Sequence, residues 1–143
     1  LCGIHACHRD RLQRMHNICA RIILQLPRQD SIHDALKGLH WLPVSYRITY
    51  KIALLVYKAH RDGPGYLSEL VPLYVPSRQL RSGGANLCKV PCTRLKTYGD
   101  RAFATTGAST WNSLPSTLRS ATTITAFKKE LKTFLFYQSY FSN

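Results

Sequence analysis

Cys88-x-x-x-Cys92, and the crowded Cys2, His5, Cys7 and His8, are the first residues to weigh, because closely spaced thiolates and imidazoles are what a tetrahedral zinc site is built from. Neither set completes one. Pro91 interrupts the Cys88–Cys92 pair, no clean Cys/His pair follows it, and five cysteines form no secreted disulfide framework. No metal or other cofactor is therefore expected, with Cys88 and Cys92 the nearest approach to a ligand pair, and free thiols point to a reducing compartment. The carboxylates are Asp10, Asp30, Asp34, Asp62, Glu69, Asp100 and Glu130, and no two are adjacent. Phosphate chemistry of the polymerase or nuclease kind needs carboxylates grouped around metal ions. Gly83-Gly84 lacks the Gly-Lys-Ser/Thr that completes a phosphate-cradling loop, and no nucleophile elbow surrounds any Ser or Cys. The chain is not expected to be an enzyme by itself.

Cations are what the sequence has in excess. Twenty Lys and Arg stand against seven Asp and Glu, a formal net charge of +13 with a pI near 9.9. Such a surplus favours an anionic partner, nucleic acid ahead of a membrane. A basic surface can also keep a chain soluble, or mate with acidic parts of a larger polypeptide. Arg78, Arg81, Lys89, Arg94, Lys96 and Arg101 accumulate with only Asp100 among them, and Tyr98 lies beside the Gly99-Asp100 turn. Cations for phosphates and a ring for a base are the ingredients of single-strand binding, so these seven are the candidate nucleic-acid contacts.

The elements that must position them read in order. Leu12, Met15, Cys19, Ile22, Ile23 and Leu26 make an apolar stripe on a first helix, Asp10–Leu26, and a stripe of that kind is expected to face the core. Ser31 caps a short second helix that His40-Trp41-Leu42-Pro43 breaks. A third runs from Pro43 or Ser45 to about Arg61, and another turn or two covers Tyr66–Leu70. Residues 71–93 read as a basic loop, with a short strand possible at Leu87–Val90. Leu95–Tyr98 and Ala102–Thr105 flank Gly99-Asp100 and predict a small basic β-hairpin, which would set Arg94, Lys96 and Arg101 side by side. Ala108–Leu114 is a short helix stopped by Pro115, and Thr123 caps a last one from Ile124 to about Tyr137, with Lys128, Lys129 and Lys132 on its wet side. Trp41 and Trp111 each precede a Pro and are expected to meet, tying the two halves together. The expected fold is α+β, mostly helical: one domain over residues 1–143, with a helical N-terminal half over residues 1–70, the loop 71–93, and hairpin plus C-terminal helices over 94–143.

Several of these segments carry a resemblance. "RLKTYGDRAFATTGASTWNSLP" (Arg94–Pro115) resembles the C-terminal region of reverse-transcriptase polyproteins from LINE-like, non-long-terminal-repeat retrotransposons. "LHWLPVSYRITYKIALLVYKA" (Leu39–Ala59), "GYLSEL" (Gly65–Leu70), "LRS" (Leu118–Ser120) and "AFKKELKTFLF" (Ala126–Phe136) extend it in order over nearly the whole chain, and the first helix is similar to the segment after that family's polymerase core. The family's paired-aspartate polymerase motif and its endonuclease residues are absent here. The resemblance implies a non-catalytic segment that binds template RNA or an RNA–DNA hybrid, partners the upstream polymerase domain, and resides inside the cell, in cytoplasm and nucleus. The absence of an initiator Met suits a fragment. A structural subdomain docking on the rest of the polyprotein, or an inactive truncated copy, are the alternatives. No run reaches the roughly 18 apolar residues of a membrane span, and no signal peptide is visible.

Overall fold

Proline and hydroxyl caps lay out a chain of helices. The computed structural model describes residues 3–75, 86–93 and 98–141, and among them are seven helices: α1 (Ala6–Leu24), α2 (Ile32–Gly38), α3 (Val44–Arg61), α4 (Gly65–Leu70), α5 (Phe103–Asn112), α6 (Ser116–Arg119) and α7 (Ile124–Tyr140). Ser31 and Thr123 accept from the Asp34 and Ala126 amides, each satisfying an orphan donor of its helix's first turn. Pro43, Pro64 and Pro115 occupy the N-cap positions of α3, α4 and α6, where their fixed φ already suits the entry. Pro43 brings no side-chain acceptor, so one is supplied from elsewhere: Gln13 Oε1, on α1, accepts from the Val44 amide at 2.8 Å.

The core lies where α3, α5 and α7 meet. Val56 and Tyr57 of α3, Ala108 and Trp111 of α5, and Phe127 and Leu131 of α7 are all buried. Tyr57 stacks on Phe127 with centroids 4.2 Å apart, and Trp111 packs against Phe127 at 5.9 Å. Each large side chain so enclosed stabilises the fold by roughly 1.5–3 kcal/mol through burial, and the aromatic pairs add about 0.5–1.5 kcal/mol each. Gly107 permits the close approach of α5 to α3. A Cβ there would meet Val56 Cγ2 at 3.2 Å and Val71 Cγ1 at 3.3 Å. The Tyr57 hydroxyl and the Arg61 guanidinium both donate to the Ala121 carbonyl, closing α3 onto the α6–α7 link.

Three expectations from the sequence are overturned. First, there is no β-hairpin: Ala102 is the N-cap of α5, so the expected second arm begins a helix, and the fold is mostly helical without a β-sheet among the described residues. The reason is local. Ala102 and Ala104 favour helix over strand, and Phe103, Gly107, Ala108 and Trp111 fall on one helical face that buries against α3. The strand considered at Leu87–Val90 is reduced to an isolated antiparallel bridge, Leu73 to Cys88.

Second, α1 turns the other way. Met15, Ile18, Ile22 and Ile23 are 49 to 70% exposed, and the inward side carries Gln13, His16, Asn17 and Ala20. Third, Trp41 and Trp111 belong to separate clusters. Trp41 stacks on His16 of α1 at 4.9 Å, whereas Trp111 sits in the main core. The halves are joined by α3 packing on α5 and α7, and the end of α7 ties in the Trp41 cluster: the Tyr140 hydroxyl donates to the Trp41 carbonyl and Tyr46 donates to the Gln138 carbonyl.

Candidate nucleic-acid interface

The turn that feeds α5 is held by its own polar atoms. Thr93 Oγ1 donates to the Asp100 carboxylate at 2.7 Å, and Thr106 Oγ1 donates to the Asp100 carbonyl at 2.8 Å. Asp100, the acid among the expected contacts, is therefore occupied in fixing the turn. Tyr98 at its start is 79% exposed, the exposure expected of a stacking ring. Arg101 is exposed as well, but its Nε donates to the Gly3 carbonyl and pins the N-terminal segment. Gly3 has φ +65°, a left-handed conformation that glycine adopts without strain, and it lies directly under the Arg101 side chain, a Cβ there falling 2.3 Å from Arg101 Cγ. Arg101 immediately precedes the N-cap of α5 and does not lie on a strand. Arg78, Arg81, Arg94 and Lys96 lie outside the described residues.

Lys89 is presented by a clamp that the sequence did not reveal. The Asn112 side chain takes both backbone groups of Cys88: the Cys88 amide donates to Oδ1 at 2.8 Å, and Nδ2 donates to the Cys88 carbonyl at 2.9 Å. Trp111 Nε1 donates to the Asn86 carbonyl at 2.7 Å. Asn112 thus pairs with the Cys88 backbone as a neighbouring strand would, and Lys89 and Val90 beside it are exposed. The available signal was an Asn inside a helical run, a residue that favours competing bonds to the backbone over helix.

Cys88 ends up buried within 3.7 Å of His60 Nε2, a pairing that invites comparison with a thiol nucleophile and its base. The geometry opposes it. His60 Nε2 lies 2.9 Å from the Val71 carbonyl, an acceptor that requires the hydrogen on that nitrogen, which leaves no lone pair for the thiol's proton. Burial pushes the Cys88 thiol up to about 11, the inert direction. Cys92 stays on the surface, so the two thiols occupy different environments, and among the described residues no group of three or more His, Cys, Asp or Glu is placed to hold a metal ion.

Further cations line the helices. Lys128, Lys129 and Lys132 are exposed on one side of α7, and Arg47, Lys51 and Lys58 on one side of α3. Among the described residues, Arg119 aside, no Lys or Arg is held in an ion pair; the close charged contact is His33 with Asp34 at 3.7 Å. No helix of the described residues is long and apolar enough to cross a membrane. In comparisons with protein-family models, curated proteins and solved structures, nothing matches the chain.

Proposed function

We propose that the chain is a non-catalytic C-terminal segment of a LINE-like reverse-transcriptase polypeptide, holding template RNA or an RNA–DNA hybrid on a basic surface. The motif resemblance suggests the family, and one observation carries the binding role: lysines that repel one another stand together without a carboxylate partner. Lys128 and Lys132 are one helical turn apart, as are Lys129 and Lys132, and like charges at those spacings destabilise a helix by a few tenths of a kcal/mol each. A phosphate backbone relieves that repulsion and releases counterions as it binds. Such contacts position a strand without reading its sequence, and Tyr98 offers a ring on which a base can stack.

The test is a titration of the protein with single-stranded RNA, single-stranded DNA and RNA–DNA hybrid at several salt concentrations. Replacing Lys128, Lys129 and Lys132 by Gln should weaken binding uniformly across sequences. The log–log salt slope should flatten by about 0.7 for each phosphate contact removed from a single strand. Because all three side chains are exposed, the melting transition should hold. Unchanged affinity and slope would remove α7 from the interface, and no binding to any of the three polymers would remove the function.

A further inference from the structure

Helix α1 carries a second surface with a different chemistry. Leu12, Met15, Cys19, Ile22 and Leu26 recur at alternating steps of three and four, the heptad spacing by which one helix seats its knobs in another. The first four lie on α1 and all are exposed, Leu12 by 43%, Met15 by 60% and Ile22 by 70%. Ile18 and Ile23 widen the seam at 49% and 55%. Contiguous apolar side chains along one exposed helix face mark an interaction site rather than scattered surface leucines. The helix is also fixed in orientation. Gln13 is bonded to the Val44 amide and His16 is stacked on Trp41, so the seam cannot roll inward without breaking the cap of α3.

We infer that the outward seam of α1 docks an amphipathic helix whose flanking positions are acidic. Charge selects that occupant. Arg11 borders the seam immediately before Leu12, Arg9 and Arg14 stand exposed on the same helix, and Asp10 is the single acid there. In a paired-helix interface the residues bordering the seam set partner choice by charge, and arginine at that border favours glutamate or aspartate opposite. A second copy would bring the same arginines together on a chain already at +13. A lipid surface fits less well, because α1 contains no Trp, Tyr or Phe, whereas interfacial helices use Trp and Phe to enter the headgroup layer. The inference does not rest on the nucleic-acid reading: its surface is on α1, away from the lysines of α7.

The probes are two designed helical peptides with leucine at the heptad seam positions, one with glutamate at the flanking positions and one with lysine. The glutamate peptide should bind the full chain at least tenfold more tightly than the lysine peptide, and raised salt should narrow the gap. The double variant Met15→Ser, Ile22→Ser should lose that binding at least tenfold while its circular dichroism and melting stay those of the parent. Equal affinity for the two peptides, or none for either, overturns the inference. So does binding to anionic vesicles that the double variant abolishes in the absence of affinity for the glutamate peptide. A dimer in sedimentation that Cys19 locks on oxidation overturns it in favour of a second copy.

Discussion

The two ends of this molecule are held together by different physics. Around α3, α5 and α7 the contacts are apolar and closed: Phe127 and Leu131 are fully buried, and Trp111 is 2% exposed. On α1 and α2 only the apolar Ala20, Ala35 and Leu36 are buried, and polar side chains make much of the joint. There Gln13 caps α3, Gln13 Nε2 donates to Asn17 Oδ1, and His16 lies flat on Trp41, while most of the helix's large apolar side chains point to solvent. Burial scales with area and tolerates no vacancy, whereas a hydrogen-bonded seam depends on a few atoms and on their protonation. One end therefore carries the stability of the fold, and the other carries an adjustable joint with a free face.

That contrast can be broken most decisively in the core. Trp111→Ala should cost about 3–5 kcal/mol, a large part of a small domain's stability, and a denaturant titration followed by circular dichroism measures it. Ile22→Ser on the outward face of α1 should move the same midpoint by no more than about 0.5 kcal/mol. A comparable loss at both positions would mean that α1 is packed after all.

The clamp is the next largest effect. Asn112→Ala leaves two backbone groups of Cys88 unpaired and should cost about 1–3 kcal/mol. The selective readout is the thiol. Cys88 should react faster with an alkylating reagent in this variant, because residues 86–90 lose the bonds that keep the sulfur inward.

Acid should sharpen the difference between the ends. Burial, and then the charge of Arg47, lower the His16 pKa from its ordinary 6.5. A histidine held below its unfolded value binds the proton more readily once released, so the stability of the α1 joint is full above about pH 6.5 and is lost as pH falls below it. Hydrogen exchange in α1 should accelerate across that range ahead of exchange in α7, and His16→Phe should abolish the added sensitivity while keeping the stack on Trp41. One substitution should give a gain: Gln25 closes α1 at φ 52°, a left-handed conformation that glycine adopts freely, so Gln25→Gly should stabilise the protein by about 1 kcal/mol in a thermal melt.

Much of the helical layout was legible in the sequence because its signals are local. Ser31, Pro43 and Thr123 cap helices where hydroxyl and proline chemistry says they should, α3 ends at Arg61 before Asp62-Gly63-Pro64, and Lys128, Lys129 and Lys132 fall on the exposed side of α7. The turn at Gly99-Asp100 was legible too, but not what followed it. A turn signal says that the chain reverses, and only the face formed by Phe103, Gly107 and Trp111 against α3 decided that the next element is a helix.

Of the candidate interface, the exposure of Tyr98, Lys89 and Arg101 could be anticipated, whereas the tie of Arg101 to Gly3 and the hold of Asn112 on Cys88 could not. Each spans a long stretch of chain, and no periodicity encodes a bond between distant segments. The orientation of α1 shows the same division. Composition and spacing determined that it is an amphipathic helix with a basic border, since 3.6-residue periodicity is a property of the helix alone. Which face turns inward was decided by tertiary structure: the open amide at the start of α3 takes Gln13, Trp41 takes His16, and with those two contacts made the apolar stripe is left facing out.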